Sequence, residues 1–448
     1  MQYATTQDHP ALFMEMRLGK TLVVIRRMLR CTPRGQDGLR VLVVAPTSAL
    51  GSWERELHAE GQTEIVWLTG TKQERGKRLA RAMLYTAAPC VWCLINKEGH
   101  LALPGIANAP WDAVVLDEST FIKNPKARVT KFFLQNFRDV PHRWVLTGTP
   151  NPESDMELWP QLAFLDGQAF GCKSFWAFRS RWYHQPFYGY DWTPKIGTAT
   201  MIKNTLARRT LVMRRADVGM DVPKVYERRE LPLPRRLQRI YDTACDEMLL
   251  MVRGKEISRT RYALVRTTWL RQLVSGFVDK RLEWAGKLDE LVELLTGELA
   301  QEQVVVWFNY NHEIEAALGR LRKAGVQAEL MTGAVKPKAR AKLEARFRVG
   351  DFRVFLLQQA VAQTGMDLAA ADTAIYFSPP LGTMARRQTE DRILNVAKKG
   401  PLLILDLVVK DTVDEALLES LQAKVTRGKW TMERVYRIMR RQQDGKTA

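Results

Sequence analysis

The sequence predicts an α/β protein: two doubly wound parallel-sheet domains with helical insertions. Three observations predict it. Short apolar runs alternate with helical patterns, and the alternation occurs twice along the chain. The runs also end in polar or turn residues, as buried parallel strands do where their C-terminal ends line a site. A chain of 448 residues, 46% of them hydrophobic, can bury two sizeable cores.

The first series opens with the apolar run Ala11 to Met14, followed by a helix-like stretch, Leu22 to Leu29. It continues through "RVLVVAP" (40–46), "EIVWL" (64–68), "CVWCLIN" (90–96), "AVVLDE" (113–118) and "WVLTGTP" (144–150). The second series is "VVVWFN" (304–309), "AELMTG" (328–333), "RVFLLQ" (353–358), "AIYFSP" (374–379) and "LLILDLVV" (402–409). Residues 166 to about 300 lack this rhythm. There "FWAFRSRWYHQPFYGYDW" (175–192) is aromatic and basic, and Arg235 to Val274 has helical spacing with many arginines. The expected organisation is an N-terminal lobe, 1–225, with an aromatic and basic insertion after about 166. A C-terminal lobe, 226–448, carries a helical insertion at about 234–300 and a basic C-terminal tail.

Lys and Arg number 68 against 49 Asp and Glu, a net charge of +19. That is the footprint of a polyanion binder. The excess is concentrated in basic stretches interleaved with aromatics, such as "RRLQRIYD", "RTRYALVRTTWLRQ" and "RVYRIMRRQQ". No window holds the 18 or so consecutive apolar residues of a membrane span, and the first residues lack the basic-then-apolar pattern of a secretory leader. Five cysteines fit a reducing compartment. The expected location is the cytoplasm of a bacterium or a phage-infected host. Cys90 and Cys93 form a CxxC, but inside a strand they would point to opposite faces, which disfavours a zinc site. Phe175, Trp176 and Phe178 suit a packed aromatic subcore, whereas Arg179 and Arg181 are candidates for phosphate contact.

Two short stretches carry chemistry. "MEMRLGKT" (14–21) nearly spells a phosphate-binding loop, G-x-x-x-x-G-K-[ST], with Met14 in place of the first glycine. Such a loop needs a strand, a turn whose N–H groups enclose a phosphate, a lysine to reach the β and γ oxygens, and a hydroxyl for Mg²⁺. The stretch Ala11 to Leu29 supplies all four. "VVLDEST" then places Asp117 and Glu118 at a strand end, where one acid can hold Mg²⁺ and its neighbour can orient an attacking water.

These residues resemble superfamily-two helicases, specifically the Swi/Snf-like DNA translocases and their phage relatives. Met14 to Thr21 is similar to their motif I, "DEMGLGKT", with Met14 and Arg17 departing; this family's loop does not require the first glycine. "VVAPTSALGSWERE" (43–56) resembles motif Ia. Asp117 to Thr120 followed by "FIKNPKA" resembles motif II, and "LTGTP" (146–150) resembles motif III. In the second series, residues 304–317 resemble motif IV, "LLQQAVAQTGMDLAAADTAIYFSPP" (356–380) motif V, and "RRQTEDRIL" (386–394) motif VI. The likeness spans about residue 10 to residue 424.

The resemblance implies two RecA-like lobes that hydrolyse ATP with Mg²⁺ at their shared cleft and move along duplex DNA. Arg17, Leu18, Gly19, Lys20 and Thr21 would hold the nucleotide, with Lys20 on the β and γ phosphates and Thr21 and Asp117 on Mg²⁺. Glu118 would position the water, and Gln388 and Arg392 would approach the γ-phosphate. Gly365 and Asp367 would couple nucleotide to DNA, while Thr47, Ser48, Thr147 and Gly148 would touch the backbone or relay closure. Contacts to phosphates carry little sequence information, so binding to double-stranded DNA should be largely sequence-independent.

Two departures qualify the implied activity. The family's second motif VI arginine, a finger onto the γ-phosphate, is replaced by Asn395; Arg386, Arg387 or Lys398 are the cations nearby. The family's adenine-recognising glutamine motif lies upstream of motif I, where only 19 residues precede Lys20. It is expected to be missing through truncation, Gln2 and Gln7 being candidates in name only. Three readings follow: an ATP-driven duplex DNA translocase, a strand-separating helicase, and a nucleotide-gated DNA clamp that hydrolyses little.

Overall fold

The computed structural model describes residues 7, 9–31, 38–84, 88–151, 154–185, 192–253, 259–364, 366–394 and 400–423. The chain divides into two compact units, Met1–Met220 and Asp221–Ala448.

The first unit is built on a seven-stranded sheet. Its strands are β1 (Ala11–Met14), β2 (Leu39–Ala45), β3 (Ile65–Trp67), β4 (Cys90–Asn96), β5 (Ala113–Asp117), β6 (His142–Thr147) and, after a two-residue hairpin pair β7 (Tyr183–His184) and β8 (Thr193–Pro194), β9 (Thr210–Met213). The order is β3-β4-β2-β5-β6-β1-β9, and every pairing within it is parallel. Because both faces of a parallel sheet are covered, its strands read as unbroken apolar runs. Alternate residues of β2 divide between two cores: Leu42 and Val44 enter one, Val41, Val43 and Ala45 the other. Cys90 and Cys93 likewise fall in different cores, and burial pushes the Cys93 thiol up to about 12.

The second unit carries a six-stranded sheet of β10 (Lys224–Leu231), β13 (Val304–Phe308), β14 (Ala328–Met331), β15 (Val354–Gln358), β16 (Thr373–Tyr376) and β17 (Leu402–Val409), with a short hairpin of β11 (Phe277–Val278) and β12 (Arg281–Leu282). Its order is β10-β17-β16-β13-β15-β14, again parallel throughout. Val304, Val306 and Phe308 face one core, Val305 and Trp307 the other. The basic helices Arg235–Arg253 and Arg259–Val274 bury Leu237, Tyr241, Leu270, Leu273 and Val274 against Val413, Ala416 and Leu417. The last three of these residues belong to the helix Val413–Ala423.

The region expected to lack strands contributes one edge strand to each sheet, β9 and β10. β10 was not evident as a strand because it reads "KVYERREL" and is mostly exposed; charged residues protect such an edge from pairing with other chains. Phe178 is fully buried, stacked on Phe170 with centroids 4.9 Å apart, and belongs to a first-unit core. Trp176, by contrast, is 55% exposed.

Candidate functional site

The C-terminal ends of β1, β5 and β6 are neighbours in the first sheet, with β6 between the other two. Each delivers one of the sequence-predicted stretches. β1 ends at Met14, a buried strand residue. The place of the missing glycine is therefore the strand's last residue, ahead of the turn. The turn itself uses two left-handed residues, Arg17 (φ 67°) and Gly19 (φ 77°). Gly19 is the position where glycine matters, since a Cβ is strained at that φ. The Gly19 carbonyl accepts from Val23 N at 3.0 Å, so it opens the helix Lys20–Cys31. That helix is pinned by buried Val24, Ile25 and Met28. Its N-terminus leaves free N–H groups and a positive dipole end, suited to an anion.

Lys20 and Thr21 are half-buried in the first turn. The Lys20 ammonium donates to the carbonyls of Met14 at 2.8 Å and Glu15 at 3.2 Å, bracing the loop from within. Arg17 is exposed and Leu18 half-buried.

Asp117 ends β5 and is buried. Its carboxylate accepts from the Trp53 indole N–H at 2.8 Å and from Glu118 N at 2.9 Å. Burial raises its pKa, while the Trp53 hydrogen bond, the charge of Lys20 and the Glu118 amide oppose that rise. Lys20 and Asp117 are thus electrostatic neighbours. Glu118 is left-handed, φ 48° and ψ 52°, and its carboxylate accepts from Thr147 Oγ1 at 3.4 Å. Thr147 ends β6 and is fully buried; its Oγ1 also accepts from Thr149 N at 3.1 Å. At Gly148 a Cβ would lie 3.4 Å from the Met14 carbonyl, so the loop after β6 packs closely on the end of β1.

Thr47 is exposed at the start of the helix Thr47–Ala59, after β2. The Ser48 side chain lies outside the described residues. Arg179 lies between two indoles, 4.0 Å from the Trp192 ring centroid and 4.2 Å from that of Trp176. Arg181 is exposed, 5.5 Å from the Trp182 ring centroid. Neither arginine is in the group at the strand ends.

The donor chemistry fits a magnesium nucleotide. A hydroxyl, Thr21, and a buried carboxylate, Asp117, are hard oxygen donors, and no cluster of three or more His, Cys, Asp or Glu with metal-binding geometry exists among the described residues. Mg²⁺ is typically held in this way, by one or two protein oxygens with phosphates and water completing the shell.

In the second unit, the helix Thr383–Ile393 carries Gln388 and Arg392, both half-buried. The Arg392 carbonyl accepts from Leu368 N at 3.1 Å, which ties this helix to the segment of Asp367. The Asp367 carboxylate accepts from Ala369 N at 3.3 Å. Gly365, Asn395 and Lys398 lie outside the described residues, as does Gln2. Arg386 cannot serve as a substitute finger. It is buried with both terminal nitrogens on Asp406, its Nε 2.6 Å from Glu390, and its guanidinium 3.8 Å from the Tyr376 ring centroid. Arg387, next to it, is exposed.

Trp53 and Gln161 are the site-supporting residues that the sequence did not single out. Trp53 stands within the stretch resembling motif Ia, but its contact with Asp117 spans 64 positions and has no local signature.

A model of the SNF2-related domain matches residues 6–277, more than half of the chain. The chain belongs to the SNF2-related domain family. A model of the helicase conserved C-terminal domain matches residues 286–396. This SNF2-related chain is 25% identical over 426 residues to YwqA of Bacillus subtilis (strain 168), a protein named as a putative ATP-dependent helicase/translocase, covering 92% of the chain and 45% of that protein. It is 25% identical over 440 residues to protein p41 of Acyrthosiphon pisum secondary endosymbiont phage 1, covering 91% of each. The chain thus spans less than half of the first relative and most of the second. Among solved structures, the Pyrococcus furiosus Hef helicase domain aligns with a TM-score of 0.51 at 15% identity, covering 93% of this chain and 95% of that one. The likeness is one of fold, an α/β arrangement on parallel sheets. Among the described residues no helix is long and apolar enough to cross a membrane.

Proposed function

We propose that this chain is a DNA-dependent ATPase that moves along double-stranded DNA. The observation that carries the reading is the convergence of Lys20, Thr21, Asp117, Glu118, Thr147 and Gly148 on three adjacent strand ends of one sheet. Family membership and a net charge of +19 support it from two other directions.

In this reading the turn at Arg17 to Gly19 and the first N–H groups of the helix Lys20–Cys31 receive the phosphates. Lys20 exchanges its bonds to the Met14 and Glu15 carbonyls for phosphate oxygens. Thr21 and Asp117 would hold Mg²⁺, which when bound neutralises charge on the phosphates. The Trp53 indole fixes the rotamer of Asp117, and Thr147 does the same for Glu118, which orients the attacking water. Gln388 and Arg392, on the second unit, are proposed to act on the same nucleotide, and Gly365 and Asp367 to couple it to DNA. Thr47, Ser48, Arg179 and Arg181 are proposed to touch the DNA backbone.

Release of a third strand from a triplex without separation of the underlying duplex tests translocation; strand displacement from a forked duplex would favour the helicase alternative. Duplex affinity should fall steeply, by about 10³-fold or more, between roughly 50 and 200 mM salt and depend little on sequence. A flat salt dependence would rule out a backbone-tracking surface. Asn395 favours the third reading, a slowly hydrolysing clamp, and phosphate release in the presence of duplex distinguishes it.

A further inference from the structure

Glu118 adopts a backbone conformation that a residue with a Cβ rarely takes. Such a conformation persists where its surroundings over-determine it. The restraints next to it include the Glu118 amide on Asp117, the Thr147 hydroxyl on the Glu118 carboxylate, and both Phe121 N and the Thr120 hydroxyl on the Glu118 carbonyl, each at 3.4 Å. Another comes from farther along the chain. Ser119, fully buried, donates its hydroxyl to Gln161 Oε1 at 2.7 Å. Gln161 in turn donates to the carbonyls of Pro150 at 2.6 Å and Glu157 at 2.9 Å.

Gln161 is fully buried in the helix Leu158–Asp166, whose residues Leu158 to Leu165 are all buried and otherwise apolar. Packing alone would be served better by an apolar residue, because an amide is costly to bury unless its hydrogen bonds are satisfied. Here its oxygen and both amide hydrogens are used. The bonds close a ring: Glu118 leads to Ser119, Ser119 to Gln161, Gln161 to Pro150, the backbone from Pro150 back to Thr147, and Thr147 to the Glu118 carboxylate. One side chain therefore ties the turn that aims Glu118 to the loop after β6.

We propose that Gln161 is a positioning residue for Glu118, fixing its carboxylate against the loop Thr147–Pro150. The inference rests on the reading of Glu118 as the group that orients the attacking water.

The test compares Gln161→Leu, Ser119→Ala and the double variant in the full chain, by melting temperature and by kcat and KM for ATP with duplex DNA. Ser119→Ala strands the Gln161 amide oxygen, and Gln161→Leu strands the Ser119 hydroxyl together with the Pro150 and Glu157 carbonyls; the double change relieves the hydroxyl alone, so it should be more stable than Gln161→Leu. The expected result is a kcat lowered roughly ten- to a hundredfold in all three, with KM changed less than about twofold as expected for an interaction used in the transition state. The double variant should regain part of the melting temperature lost in Gln161→Leu without regaining its kcat. A double variant that regains both, or a kcat near wild type in Gln161→Leu, would overturn the proposal, since Gln161 would then only fill space. A wild-type chain that hydrolyses no ATP, or Glu118→Gln with unchanged turnover, would instead overturn the reading of Glu118 itself.

Discussion

Two buried aspartates, one in each unit, are held in different ways by their surroundings, and the difference matches the role proposed for one of them. Asp406, within β17, takes both terminal nitrogens of Arg386, and Glu390 shares that guanidinium. Asp117, at the end of β5, takes hydrogen bonds from a neutral indole and a backbone amide, and forms no ion pair among the described residues. Its neighbouring cation, Lys20, is occupied by two carbonyls. Burial pushes both aspartates up in pKa. Only Asp406 has a partner that completes the charge balance within the fold. A buried carboxylate without one is costly to keep, and keeping it makes sense where a cation arrives from outside.

The largest effect that would break this contrast is at the first unit's site. Lys20→Ala should lower turnover by roughly three orders of magnitude and weaken nucleotide binding, whereas Glu118→Gln should lower turnover as much and leave binding largely intact. Binding of a fluorescent ATP analogue and phosphate release, measured together, check both. Turnover that survives the two changes would mean the strand ends of β1 and β5 are not the site.

The Arg386 cluster of the second unit should respond in stability rather than in chemistry. Arg386→Met should cost about 3–5 kcal/mol, because Asp406 and Glu390 lose their buried cation. Burial by itself would raise Glu390, but Lys224 and Arg386 hold it below its ordinary value of 4.5. A lowered acid stabilises the fold above its unfolded pKa and loses that contribution as pH falls through its folded one. The deficit of the variant should therefore be greatest near neutral pH and shrink below about pH 5, which denaturant melts at several pH values would show. A deficit independent of pH would mean that Arg386 acts by packing alone.

Asn395→Arg is the smaller test. If that position is the family's finger site, the guanidinium should raise DNA-stimulated kcat, by roughly tenfold or more, with little change in duplex affinity, since it would act mainly in the transition state. Arg392→Ala should lower kcat in either case. An unchanged rate in Asn395→Arg from a wild type that already turns over briskly would point to another cation, with Arg387 the neighbour to test.

The same contrast explains what the sequence made legible. Parallel strands buried on both faces advertise themselves as apolar runs, so β2, β4, β5, β13, β15 and β17 stood out. β10 did not, because an exposed edge strand carries charges. The loop and the acidic pair were visible because their chemistry is local: turn, lysine and hydroxyl lie within eight residues, Met14 to Thr21. Trp53 and Gln161 act across 64 and 42 positions, and nothing in their own neighbourhoods marks them. Arg386 looked available for catalysis because its partner Asp406 is 20 residues away, the single polar residue of an otherwise apolar strand.

The ATPase rate of the full chain, taken with no nucleic acid, with single-stranded DNA, with RNA and with duplex DNA, bears most directly on a DNA-driven motor. The expected result is a low rate alone and a clear rise that is largest with duplex DNA and lost in Lys20→Ala. A rate that duplex DNA leaves unchanged would contradict it.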